Sequence, residues 1–194
     1  MSETVSNEVQ NSRLYFLIGF MGSGKSMLSR GVSELIDVLT VEMDEEIESA
    51  AGMSINEIFA TRGEEEFRLL EKEILHDIIA RHRDSDVPVL ISTGGGAPCF
   101  FDNMDVMNRT GTTIFLNLSA ERLTGRLGSK SADRPLIKDK DLDEIREYIS
   151  ASLHKRMPFY IQARLQINMI YDDRDLNIEF LKDIIETGEL SDPV

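Results

Sequence analysis

Residues 14–26 read Leu14-Tyr-Phe-Leu-Ile18-Gly19-Phe-Met-Gly-Ser-Gly24-Lys25-Ser26. A five-residue apolar run ending at a glycine suits a strand buried in a parallel sheet. Behind it, Gly19 to Ser26 satisfies G-x-x-x-x-G-K-[ST], and Leu28, Val32, Leu35, Ile36 and Leu39 then recur at helical spacing. Strand, glycine-rich loop and helix in that order are the context in which this motif cradles phosphate. The glycines let the backbone curl until its N–H groups face phosphate oxygens, and the helix N-terminus adds positive partial charge. Lys25 then reaches the β- and γ-phosphates, and the Ser26 hydroxyl ligates Mg2+. The plainer alternative is a glycine-rich turn carrying a surface lysine. The expectation is a nucleoside triphosphate site.

Working outward, a second strand is expected to end at Glu42-Met43-Asp44, with a short acidic helix over 45–51. Residues 54–60 and 64–82 read as helices, the longer with a stripe of Phe67, Leu70, Ile74 and Ile78. Further strands are expected at 87–92, 112–118 and 165–171, with Pro88 tolerable only near a strand start. Leu142, Ile145, Ile149 and Leu153 mark one helix, and Ile178, Leu181 and Ile185 mark the terminal one. Strands alternating with helices imply right-handed crossovers and a parallel α/β sheet covered on both faces. One domain over 13–186 is expected, preceded by a flexible segment 1–12 and followed by an acidic tail 187–194. The charged, weakly periodic stretch 128–140 has the length of a functional lid.

Composition bounds the function. Of 194 residues, 35 are Asp or Glu and 21 are Lys or Arg, a formal net charge of −14 that leaves no basic footprint for general nucleic-acid binding. Fourteen of the 21 basic residues are arginine, the better fork for carboxylate and phosphate. The single Cys99 excludes an internal disulfide, and His76, His82 and His154 are not spaced as metal ligands. The polar start lacks the apolar stretch of a signal peptide, and no run approaches membrane-span length, so a cytoplasmic protein is expected.

No N-K-x-D element for guanine recognition is present, and the chain is short for a mechanical ATPase. A small-molecule kinase needs an acceptor pocket, a group beside the acceptor hydroxyl and cations around the moving phosphoryl. Gly94-Gly95-Gly96 follows the strand at 87–92, on the sheet edge where ligands bind, and suits close backbone approach. It also reads as an ordinary flexible loop. Asp44, on the same edge, suits a substrate hydroxyl or a helix N-cap. Arg68, Arg134 and Arg156 are the candidate cations. Each has an ordinary explanation: an ion pair of Arg68 with Glu64 or Glu71, a solvated loop charge, and a charge at a helix C-terminus.

Taken together, IGFMGSGKS (18–26), Asp44 with its acidic stretch, INEIF…GEEEFR (55–68), ISTGGG (91–96), DRPLI (133–137) and KRMPFY (155–160) resemble the shikimate kinase family, in family order. The resemblance implies a P-loop kinase fold with a five-stranded parallel sheet of order 2-3-1-4-5 and a mobile lid. It implies transfer of the ATP γ-phosphoryl to the 3-hydroxyl of shikimate by a monomer. Lys25, Asp44 and Arg134 then resemble the catalytic set, and Arg68, Arg156, Gly94, Gly95 and Gly96 the shikimate site. Gly22, Ser23, Gly24, Lys25, Ser26, Met27, Arg126, Arg134 and Arg174 resemble nucleotide contacts, Arg126 near the adenine. Two departures stand out. Glu42 replaces the first Asp of the family's Asp-x-Asp, so the water-mediated Mg2+ contact falls to a side chain one methylene longer. Met27 replaces a common Thr and removes a hydroxyl. An active kinase with weaker metal or nucleotide affinity is expected, the alternatives being a kinase for another small acid such as gluconate or a non-catalytic nucleotide-binding module.

Overall fold

In the computed structural model, residues 12–128, 141–168 and 173–188 are described. Five strands form one parallel sheet: β1 (Leu14–Ile18), β2 (Leu39–Glu42), β3 (Val89–Ser92), β4 (Thr112–Asn117) and β5 (Leu165–Asn168), in the order β2-β3-β1-β4-β5. Every residue of β1 is buried, because β1 is the central strand and both its faces are covered. Leu14, Phe16 and Ile18 point into one apolar cluster, and Tyr15 and Leu17 into the other.

Helices α1 (Lys25–Ser33), α6 (Ala120–Gly128) and α8 (Arg174–Thr187) cover one face. Helices α2 (Met43–Ala51), α3 (Ile55–Thr61), α4 (Gly63–His82) and α5 (Asn103–Thr110) cover the other. Helix α7 (Leu142–Tyr160) reaches both, sending Ile145 and Ile149 to the first cluster and Tyr160 to the second.

Several expectations need correction. The second strand ends at Glu42, which pairs with Ser92 at the end of β3. Met43 already begins α2, where its side chain is fully buried. Asp44 therefore lies in the first turn of α2; the N-cap residue is Glu42. Leu35 and Leu39 are exposed because α1 stops at Ser33 and Leu39 opens the edge strand β2. Leu142 is exposed in the first turn of α7. That helix carries Pro158 inside it and continues to Tyr160, which keeps Arg156 on a helix. Ser12, grouped with the flexible start, donates to the Thr110 carbonyl at 2.5 Å, and α8 runs to Thr187 before its Gly188 cap. The lid residues 129–140, including Arg134, lie outside the described residues, as do 1–11, 169–172 and 189–194.

Parallel pairing brings the C-terminal ends of β1, β2 and β3 side by side. The phosphate-type loop, Asp44 and the triple glycine leave the sheet there together. That edge is where the site forms.

Candidate active site

The loop after β1 is shaped by backbone conformations that favour glycine. Gly22 has φ 80° and Gly24 φ 105°, in the left-handed region where a side chain is strained. Gly24 is also the N-cap residue of α1 and makes no side-chain cap bond, so the first N–H groups of the helix face the cleft uncapped. Lys25 folds back over the loop, its Nζ donating to the Gly19 carbonyl at 2.9 Å and the Phe20 carbonyl at 3.2 Å. Arg126, on α6, donates to the Ser23 carbonyl at 3.2 Å and Gly22 at 3.4 Å, bracing the loop from its other side.

A cleft of about 560 Å³ runs over this loop, lined among others by Gly22, Gly24, Lys25, Ser26, Met27 and Arg126 from the nucleotide set. Glu42, Asp44, Thr93 and Gly95 line the same cleft. Ser23 is buried beneath, and Arg174 is exposed in the first turn of α8, outside that lining. Ser26 Oγ donates to Glu42 Oε2 at 2.6 Å, while Glu42 Oε1 is buried and takes no hydrogen bond from the protein. A hydroxyl oxygen beside a spare carboxylate oxygen is the hard-oxygen donor set that a Mg2+ bound with phosphate requires. The extra methylene of Glu42 has not carried its carboxylate away from Ser26.

The triple glycine lies beside the phosphate loop, and each glycine makes room for something different. A Cβ on Gly94 would lie 2.7 Å from Glu71 Oε1 and 3.2 Å from Asp44 Oδ1. One on Gly95 would lie 3.1 Å from the Met21 nitrogen and 3.5 Å from an Arg156 guanidinium nitrogen. One on Gly96 would meet the Arg68 guanidinium at 2.7–3.0 Å. Three successive backbone positions thus face Glu71 and Asp44, the phosphate loop and Arg156, and Arg68 in turn.

Arg68 is only 9% exposed, which is rare for arginine unless it is paired. It donates to Glu71 at 2.8 Å and pairs with Glu64 at 3.2 Å, so both ordinary explanations of this residue hold. Its guanidinium also lies over the rings of Phe100, at 4.1 Å, and Phe67, at 4.9 Å. Glu71 is almost wholly buried, and its Oε1 accepts no bond from the protein. Burial pushes the Glu71 carboxyl above its ordinary range; Arg68 opposes this shift, and the Asp44 charge adds to it. Arg156 donates to the Gly95 carbonyl at 3.2 Å, and Tyr160 donates to the same oxygen at 2.5 Å. Burial also raises the Tyr160 hydroxyl and pushes the nearby Cys99 thiol to about 11, so both stay protonated.

Reading the sequence names Glu71 only as a possible ion-pair partner of Arg68 and gives no role to Phe100 or Tyr160. Glu71 falls in a helix already rich in glutamate, and nothing in the spacing marks it out beyond its i,i+3 relation to Arg68.

Comparison with known proteins agrees with this geometry. A family model described as shikimate kinase matches residues 21–188. A shikimate kinase of Parabacteroides distasonis is 44% identical over 150 residues, covering 77% of this chain and 84% of its own. One from Bacteroides thetaiotaomicron is 42% identical over 153 residues, covering 79% and 85%. A crystal structure of shikimate kinase from Bacteroides thetaiotaomicron superposes with a TM-score of 0.80 at 37% identity, over 89% of this chain and 98% of that one. The Acinetobacter baumannii enzyme in complex with shikimate gives 0.77 at 25% identity, over 92% and 95%. Matched from the phosphate loop to the terminal helix, the chain belongs to the shikimate kinase family.

Proposed function

We infer that the chain transfers the γ-phosphoryl of ATP to the 3-hydroxyl of shikimate, forming shikimate 3-phosphate on the route to chorismate and the aromatic amino acids. One observation carries this reading: Gly94, Gly95 and Gly96 set a carboxylate, Asp44, and two guanidinium groups, Arg156 and Arg68, around one turn of backbone beside the phosphate loop. A small rigid acid with ring hydroxyls matches that spacing of charges. Arg68 and Arg156 would grip its carboxylate with fork donors, and Asp44 would accept from its hydroxyls.

The transfer asks the protein mainly for alignment and charge. Asp44 takes the proton of the 3-hydroxyl as that oxygen bonds to the γ-phosphorus and the bond to the β-phosphate oxygen breaks, releasing ADP. Lys25 leaves its two loop carbonyls for the phosphate oxygens, exchanging neutral acceptors for charged ones. Glu71 holds Arg68 in place. Mg2+, held with the nucleotide by Ser26 and through water by Glu42, would neutralise phosphate charge. Arg134, placed by family resemblance alone, would complete the cation set.

We further read the protein as a cytoplasmic monomer whose partners are ATP and shikimate, and no helix among the described residues is long and apolar enough to cross a membrane. ADP release coupled to a dehydrogenase readout, with purified protein and MgATP, tests the assignment. Turnover that saturates with shikimate is expected. Turnover indifferent to shikimate, or present only with gluconate, would overturn it.

A further inference from the structure

The two guanidinium groups are seated very differently. Arg68 rests on two carboxylates and two rings, and losing any one of these leaves three. Arg156 lies against the Gly95 carbonyl at 3.2 Å, and its guanidinium stands over the Phe20 ring, 5.0 Å from the centroid. Phe20 is one of the four unspecified positions of the phosphate-binding motif. Phosphate binding by backbone N–H groups makes no demand on the side chain there. We propose that Phe20 is a positioning residue for Arg156: its ring face holds the guanidinium against Gly95, so that the phosphate loop sets the affinity for the substrate carboxylate. The proposal rests on the reading that Arg156 grips that carboxylate.

Three observations carry it. The Phe20 side chain is 1% exposed and belongs to the apolar cluster beneath α1, α6 and α8, so it is a fixed platform rather than a mobile flap. The separation lies within the roughly 6 Å over which a ring quadrupole attracts a cation, and removal from water strengthens the attraction. Gly95 also sits close enough that a Cβ there would come within 3.1 Å of the Met21 nitrogen and 3.5 Å of Arg156. Loop, glycine and guanidinium therefore form one packed unit. A guanidinium attracted to a ring face still has N–H groups to donate, one here to Gly95 and others for a carboxylate. An aliphatic side chain such as leucine would fill most of that volume and offer no negative face. Phe20 also touches the phosphate-binding cation, since its carbonyl accepts from Lys25 at 3.2 Å.

The test compares Phe20→Leu, Phe20→Tyr, Arg156→Ala and the double variant Phe20→Leu/Arg156→Ala by kcat/KM for shikimate, with nucleotide affinity from calorimetry. Phe20→Leu is expected to lower kcat/KM for shikimate about three- to tenfold through KM, with nucleotide affinity and kcat within about twofold of the parent. Phe20→Tyr, which keeps the ring, should restore the parent KM. In the Arg156→Ala background, Phe20→Leu should cost nothing more. An equal loss in both backgrounds, or an equal loss of nucleotide affinity, would overturn the proposal in favour of simple packing. An unchanged shikimate KM in Phe20→Leu would also overturn it. If Phe20→Leu fails to fold, Phe20→Met is read by the same criteria. An Arg156→Ala variant that keeps full shikimate affinity would instead overturn the role assigned to Arg156 in the proposed function.

Discussion

Replacing Gly96 by Ala isolates the acid-binding half of the site. Gly96 has φ −97° and ψ −19°, a conformation open to any residue, so the substitution brings no backbone strain. The new methyl would stand 2.7 Å and 2.9 Å from the terminal nitrogens of Arg68 and 3.0 Å from Cζ, about 0.7 Å short of ordinary contact at its closest. Guanidinium is the far end of a flexible side chain, so the arginine yields and the fold survives. It cannot yield freely, because Glu71 at 2.8 Å, Glu64 at 3.2 Å and the Phe100 ring at 4.1 Å hold it from other sides. A displacement of that size exceeds the roughly 0.5 Å range of good N–H···O distances. At least one charge-assisted bond to the substrate carboxylate is then lost, about 1.5–3 kcal/mol, which corresponds to about a ten- to hundredfold rise in shikimate KM. Steady-state kinetics with shikimate and ATP varied separately would measure it. Nucleotide affinity should hold, since this methyl faces Arg68 and not the phosphate loop. A shikimate KM within twofold of the parent, in a folded variant, would refute the reasoning, and so would an equal loss of nucleotide affinity.

Two further outcomes follow from the same geometry. Glu42→Ala removes the acceptor beside Ser26 and should raise the Mg2+ concentration for half-maximal turnover about 10- to 100-fold without moving shikimate KM, as metal titrations at fixed ATP would show. Glu71 tests the buried carboxyl through stability. Its pKa is raised in the folded chain, so the folded state holds that proton more tightly than the unfolded one. Its contribution is fully present below the ordinary carboxyl range and is lost as pH rises through the raised value. The Tm of the parent minus that of Glu71→Gln should therefore fall as pH rises above the ordinary carboxyl range, and a flat or rising difference in thermal scans would contradict the assigned burial.

What the sequence made legible follows from how local each signal is. The phosphate loop is a contiguous backbone device, so its residues announce it. Asp44 was placed on the right edge because the end of a strand is easy to see, although the strand stops two residues earlier than expected. Arg68 and Arg156 were ambiguous for a physical reason. An arginine that holds a ligand and one that pairs with a neighbouring glutamate can be the same residue, and under the proposed function Arg68 is both, since its glutamate partners keep a buried cation tolerable before substrate arrives. The helices at 103–110 and 120–128 carry no assignment in the sequence reading because each is only eight or nine residues long, too short for a sustained stripe, although Met104, Met107, Leu123 and Leu127 are buried.

The triple glycine shows how one motif can serve the fold as well as a ligand. In sequence it reads as backbone left bare for a ligand to approach. In the fold, much of that bareness is already used by the protein itself: Glu71 and Asp44 stand where a Gly94 side chain would be, the phosphate loop and Arg156 where a Gly95 side chain would be, and Arg68 where a Gly96 side chain would be. Glycine gives the loop no packing and costs conformational entropy on folding. That cost is offset by bringing two guanidinium groups and two carboxyl groups onto one turn. The same density accounts for the raised Glu71 carboxyl, because groups packed this closely are removed from water and feel one another's charge. A chain with a net charge of −14 can therefore receive anionic substrates. The surface charge is spread through solvent that screens it, whereas Lys25, Arg68 and Arg156 are buried or half-buried and held by neighbours that leave them little freedom to turn away.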